Sequence, residues 1–205
     1  MENGNKEKDF GDILVEIPEK KDKTQGFLHF LIDLIETLVL AAILYLGINA
    51  ISARIRVDGT SMTPTLQSGE FVIVNKLAYK FGSTKLGDVV VFKFPRNPSQ
   101  EYIKRVIGLP GDEIKIVRGR VLVNGQLLEE PYLSSPTAYQ GNWVVPENQL
   151  FVLGDNRNNS SDSHNWGTVP MENVIGKAVF VYWPPAEWGK INTHPKTVSA
   201  TNPYP

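Results

Sequence analysis

The chain has 205 residues, 41% of them hydrophobic, enough for one ordinary globular core with extra segments and too few for two large domains. Its formal net charge is -1 and no Lys/Arg stripe alternates with aromatics, which excludes the electrostatic footprint of a nucleic-acid binder. Cysteine is absent, which excludes disulfides, thiolate nucleophiles and sulfur-ligated zinc, and the three histidines, His29, His164 and His194, are too scattered for a metal site.

Residues 1–26 mix Lys with Asp and Glu around a single aromatic, Phe10, a composition that predicts a flexible tail. Residues 37–53 then carry no charged side chain, and 38–48 are almost wholly apolar. Extended upstream through Phe30, Leu31 and Leu34, the segment reaches the roughly 17–25 residues a bilayer-spanning helix needs, so 27–53 is assigned as a transmembrane anchor. Asp33 and Glu36 belong at headgroup level, because a carboxylate at the bilayer centre would cost roughly 2.5–3.5 kcal/mol. Lys20, Lys21 and Lys23 precede the span while Arg54 and Arg56 follow it, a slight bias toward a cytoplasmic N-terminus. An anchor has two competitors. One is a cleavable signal peptide, with small residues at Ile51-Ser52-Ala53; the second is the buried core helix of a soluble protein.

Beyond Arg54 the pattern becomes short runs rich in β-branched and aromatic residues, at 71–74, 89–92, 114–117, 121–123, 151–153 and 178–182. Arg118-Gly119 and Asn124-Gly125 predict tight hairpin turns, and Leu109-Pro110-Gly111-Asp112 carries the Pro-Gly pair of a type II turn. The expected fold class is therefore mainly β. It is an antiparallel domain over 54–185, closed or sandwiched to manage its edges and preceded by one N-terminal transmembrane helix. Residues 186–205, polar and rich in Pro, Thr and Asn, are expected to form a flexible C-terminal tail.

Chemistry starts with Ser61, which sits in Gly-Thr-Ser-Met-Thr-Pro-Thr-Leu at 59–66, between a glycine-containing turn and a proline. A serine hydroxyl attacks only when a base within hydrogen-bond reach takes its proton. Two bases are available. One is His164, with Asp162 or Asp155, in a Ser-His-Asp arrangement. The other is Lys104, in Tyr-Ile-Lys-Arg-Val-Ile-Gly-Leu-Pro-Gly-Asp at 102–112. If that run is a strand, Lys104 shares a face with Tyr102 and Val106, away from Arg105. Apolar and aromatic neighbours would desolvate the amine and favour its neutral form, whereas a lysine on an exposed strand would keep its head in water.

Taken with Leu-Gly-Asp-Val-Val-Val-Phe at 86–92 and Gly-Asp-Asn-Arg-Asn-Asn-Ser-Ser-Asp-Ser-His at 154–164, these blocks resemble, in order, the four motif blocks of the type I signal peptidases. The resemblance implies a Ser/Lys protease on a mostly β scaffold that removes N-terminal signal peptides from exported preproteins after small residues, as in Ala-x-Ala. It implies Ser61 as nucleophile, Lys104 as general base, Ser160 as the hydroxyl that positions the lysine amine, and Asp162 as a supporting carboxylate. Val57 and Met62 match positions that help line the substrate pockets. No metal or organic cofactor is implied. The partners implied are secretory preproteins and the lipid bilayer, with the catalytic domain outside the cytoplasm of a cell membrane or on a thylakoid-type membrane.

Two positions depart from the family pattern. Gly59 stands where some members have a serine that donates to the oxyanion hole, and His164 stands where many have an arginine that pairs with the aspartate. A self-cleaving transcriptional repressor can share the Ser/Lys chemistry, but it would need a DNA-binding helical domain where this chain has an apolar span. A membrane-tethered, non-catalytic β domain that binds proteins would explain the anchor and the strands, and would leave the paired serine and lysine blocks without a reason.

Overall fold

The computed structural model describes residues 23–192 and 196–198; the expected tail at 1–22 lies outside the described residues. Helix α1 spans Lys23–Ile51. It contains no proline, and its Leu, Ile and Ala content favours helix. Over Gly26–Ile51 it is 26 residues long, about 39 Å at 1.5 Å per residue, and apolar enough to cross a membrane. Large apolar side chains such as Leu38, Leu40, Ile43 and Leu44 are exposed, and none of this segment is buried within the chain, which removes the core-helix alternative. The helix stops at Ile51, so Ser52 and Ala53, read from sequence as the end of the apolar span, open the first strand instead.

The chain divides into two compact units, Met1–Tyr45 and Leu46–Pro205. In the second, β1 (Ser52–Arg56), β2 (Phe71–Asn75), β3 (Val89–Phe94), β4 (Asn97–Gly108), β5 (Glu113–Val117), β6 (Arg120–Val123), β7 (Gln126–Glu129), β8 (Gly141–Val144) and β9 (Gln149–Leu153) come first. They are followed by a one-turn helix α2 (Ser163–Trp166), β10 (Val169–Pro170), β11 (Val174–Trp183), β12 (Gly189–Lys190) and β13 (Lys196–Val198). Every pairing among them is antiparallel. One sheet runs β1-β2-β11-β3-β4-β9-β10 with β12 on β11, and a second runs β13-β7-β6-β5-β8.

The mainly antiparallel β class expected from the sequence is what forms, and all six predicted runs lie in strands. Both hairpin turns have positive φ at their two central residues, 49° and 77° at Arg118-Gly119 and 53° and 75° at Asn124-Gly125, the type I′ geometry that matches strand twist. On β3 the two-residue period divides the core. Val89 and Val91 join Val57, Met62, Leu66, Val72 and Val74 in one apolar cluster, while Val90 and Phe92 join Val106, Leu150 and Val152 in another. A third cluster packs Ile114, Ile116, Val121 and Val123 against Ile107, Phe151 and Leu153, joining the small sheet to the ends of β4 and β9.

The expected C-terminal tail is partly structured. Residues Phe180 and Val181 pair with Lys190 and Gly189, Ile191 is buried in the first cluster, and β13 pairs with β7. Polar composition concealed this, because one buried isoleucine and a few ladder bonds suffice to hold a strand at a sheet edge. The short strands β7 and β8 were missed for a related reason: each is only four residues long and half exposed, at both ends of β7 and at alternate residues of β8.

Candidate active site

Residues 57–70 form a loop closed at its base by two bonds, Val57 N–H to the Glu70 carbonyl at 2.7 Å and Gly69 N–H to the Val57 carbonyl at 2.8 Å. Gly59 has φ of +93°, a conformation that L side chains rarely adopt, which lets the chain turn sharply two residues before Ser61. Immediately after the serine, Met62 and Leu66 are fully buried, and the Leu66 N–H bonds the Met62 carbonyl at 2.9 Å. The turn is therefore anchored from below while Ser61 faces the cleft.

Lys104 arrives from the middle of β4, between β3 and β9. Its Nζ donates to Ser61 Oγ at 2.7 Å and to the Ile103 carbonyl at 3.1 Å, and it lies 5.4 Å from the centre of the Tyr102 ring. The residue is only 5% exposed. Burial lowers its pKa from the usual lysine range to about 8, against the opposing pull of Asp162 and Asp155. Ser61 and Lys104 both line a cleft of about 630 Å³, whose apolar lining includes Ile55, Val91 and Ile103.

The fourth block wraps the Ser61 turn. Asn156 N–H donates to the Ser61 carbonyl at 3.0 Å, Asn156 Nδ2 reaches the Thr60 carbonyl and Thr63 Oγ1 at 3.1 Å each, and Asn159 Nδ2 reaches Thr60 Oγ1 at 3.2 Å. Asp162, fully buried, caps α2 and accepts from Gly154 N–H at 2.9 Å; its second oxygen pairs with His164 Nδ1 at 2.6 Å. The imidazole stacks on Tyr139 with 3.7 Å between ring centres. Thus Asp162 and His164 do form a pair, as the histidine alternative required, while the hydrogen-bond partner of Ser61 Oγ is Lys104.

Two sequence expectations need correction. The Ser160 hydroxyl, expected to hold the lysine amine, is buried with no hydrogen-bond partner, and the Ile103 carbonyl holds Lys104 instead. Val57 and Met62, at 2% and 1% exposure, belong to the core under the loop and are not among the residues lining the cleft. Both turn inward because the loop needs apolar anchors on either side of an exposed turn.

Sequence reasoning missed the charged residues beneath the site. Arg105, adjacent to Lys104 but on the opposite face of β4, bonds Asp155 through Nε at 2.8 Å and Nη2 at 2.6 Å, with both side chains inaccessible to solvent. Arg157 pairs with Glu130, and its Nε donates to the Gly154 carbonyl at 3.1 Å. An arginine in a strand flanked by Val, Ile and Gly hints at burial, but its counter-ion lies 50 residues away and only the fold brings it near.

A family model described as signal peptidase, peptidase S26, matches residues 31–183. The chain is 45% identical over 174 residues to signal peptidase I of Leptolyngbya laminosa, covering 80% of this chain and 86% of that protein. It is 44% identical over 160 residues to a Synechocystis protein named probable signal peptidase I-2, covering 75% and 73%. Thylakoidal processing peptidase 1 of Arabidopsis thaliana is 36% identical over 154 residues, 70% of this chain and 45% of that protein. The match runs from within α1 to the last residue of β11 and includes the serine loop, the lysine strand and the loop that clamps them, so the chain belongs to the signal peptidase family, peptidase S26.

Proposed function

We propose that this protein is a type I signal peptidase, a serine endopeptidase that removes N-terminal signal peptides from exported preproteins with Ser61 as nucleophile and neutral Lys104 as general base. The observation that carries this reading is the 2.7 Å contact between Lys104 Nζ and Ser61 Oγ in a site that depresses the lysine pKa. Lys104 takes the serine proton as Oγ attacks the scissile carbonyl, and the Ser61 backbone N–H stabilises the tetrahedral oxyanion. The protonated amine then protonates the leaving nitrogen. Neutral again, it activates the water that hydrolyses the acyl-enzyme.

Ile55, Val91 and Ile103 give the cleft an apolar wall beside the dyad that small substrate side chains can pack on, in keeping with Ala-x-Ala-like cleavage. Val57 and Met62 contribute from beneath, by fixing the backbone that carries the pocket. Asp162 supports the site through its bond to the Gly154 N–H. Helix α1 anchors the enzyme as a single span, with the N-terminus cytoplasmic and residues 54–185 acting outside the cytoplasm as the peptidase domain. Incubating the purified protein with a preprotein and reading the product's N-terminus by mass spectrometry tests the proposal. No cleavage, together with no labelling by a serine-directed covalent probe, would favour a non-catalytic tethered domain.

The lowered lysine pKa sets the sign of the pH dependence. Protonated Lys104 cannot accept the serine proton, so kcat/KM rises about tenfold per pH unit and levels off above about 8, where the amine is neutral. A limb centred near 6.5 in the measured profile would point to a histidine base instead. Because His164 is engaged with Asp162 and Tyr139, His164→Ala is expected to lower kcat by no more than about threefold, with Asp162 still bonded to the Gly154 N–H. Loss of activity in a folded His164→Ala protein would revive the Ser-His-Asp mechanism.

A further inference from the structure

Two buried arginines flank the dyad, and a short segment outside all four motif blocks holds both. Arg105 follows Lys104 on β4, and the Tyr132 ring lies under its guanidinium at 3.9 Å from Cζ to the ring centre. The Tyr132 hydroxyl donates to Glu130 Oε1 at 2.7 Å. Glu130 in turn accepts from Arg157, Nη1 to Oε2 at 3.0 Å and Nη2 to Oε1. Arg157 Nε holds the Gly154 carbonyl, and Gly154 is packed so closely that an added Cβ would collide with the Ser61 carbonyl and with Ser160 Oγ. Thus the strand carrying the base and the loop abutting the nucleophile, joined directly by the Arg105–Asp155 pair, also meet through Glu130 and the Tyr132 ring.

The charges in this junction are committed. Both arginine side chains are inaccessible to solvent, and a buried guanidinium is tolerated only when paired and hydrogen-bonded. Burial and the neighbouring Glu130 both push the Tyr132 phenol up, so it remains a neutral donor at working pH. Substrate, by contrast, meets the cleft lining on β1, β3 and β4, whose backbones are held by sheet ladders.

We infer that Glu130 and Tyr132 are positioning residues that set the Ser61–Lys104 geometry for acyl transfer, acting through Arg157 and Arg105. The inference rests on the Ser61/Lys104 mechanism proposed above. A displacement near 1 Å between reacting groups can cost about 10²-fold in rate, while binding along the strands is left intact, so the loss falls on kcat and not on KM.

The test uses the full-length protein in detergent, a preprotein substrate, and active-site titration with a serine-directed covalent probe, so that rates are expressed per reactive site. Tyr132→Phe keeps the ring against Arg105 and removes only the bond to Glu130. Glu130→Gln/Arg157→Met removes both charges of the pair, so that neither is left buried alone, and also removes the donor to the Gly154 carbonyl. The expected kcat per titrated site is about fivefold lower in the first variant and at least about tenfold lower in the second, with KM within about twofold of the parent. An unchanged kcat per titrated site in Tyr132→Phe, or in the folded double variant, overturns the inference, as does a loss confined to KM or to the number of titratable sites. Ser61→Ala assayed alongside separates the two levels. If it still cleaves, the dyad mechanism fails; if it is inactive while both variants match the parent, only the positioning role fails.

Discussion

Ser61→Ala is expected to lower preprotein cleavage by a factor on the order of 10⁴ or more, the scale of loss when a covalent nucleophile is removed from a serine hydrolase. The change deletes one hydroxyl facing a cleft, and the loop keeps its anchors: Met62 and Leu66 in the core, and the Asn156 bond to the residue 61 carbonyl, which belongs to the backbone. Lys104 retains its bond to the Ile103 carbonyl, so its side chain is not stranded. Folding, followed by circular dichroism and thermal melting, should match the parent within about 1 kcal/mol, while labelling by a serine-directed probe disappears. Near-parental cleavage by this variant would remove Ser61 from the chemistry.

Lys104→Arg is expected to lose about 10²–10⁴-fold, the range that general-base catalysis contributes. Arginine keeps the positive charge and the ability to donate to Ser61 Oγ, but it cannot release its proton in a protein and so cannot become the base. Its larger, planar head must also fit a position only 5% exposed, so a misfolded protein is one foreseeable result. Lys104→Met covers that case. It keeps an unbranched stem of similar length, suits the apolar surroundings, and removes the amine altogether. Single-turnover cleavage above pH 8, where Lys104 of the parent is neutral, is the informative measurement for both variants. Substantial activity in either folded variant would transfer the role of base to another group, with His164 the first to examine.

The residues behind these two expectations are legible in the sequence, and so is much of the scaffold. The serine between Gly59 and Pro64, the lysine between Tyr102 and Val106, the two-residue alternation of the strands and the paired turn residues at 118–119 and 124–125 are local features. Each depends on neighbours within a few positions, which is the range over which backbone sterics and side-chain periodicity act. The apolar span is legible for the same reason, since spanning a membrane is a matter of length and composition.

Tertiary structure decided what depends on long-range pairing. Ser61 and Lys104 are 43 residues apart, and their 2.7 Å contact exists because β4 lies in the sheet interior while the serine loop returns to the same sheet through β2. The lowered lysine pKa follows from that enclosure, since composition cannot say how much water reaches an amine. Geometry favours lysine over histidine in the same way: Asp162 and Tyr139 occupy the imidazole, and Ser61 Oγ is left to the amine. Ser160, Val57 and Met62 could be named from motif position, yet where their atoms point was decided by packing. The charged junction of Arg105, Asp155, Arg157, Glu130 and Tyr132 had no local signature beyond the apolar residues that follow Arg105. Buried ions are stable only beside their partners, and which partners meet is a property of the folded chain and not of any segment of it.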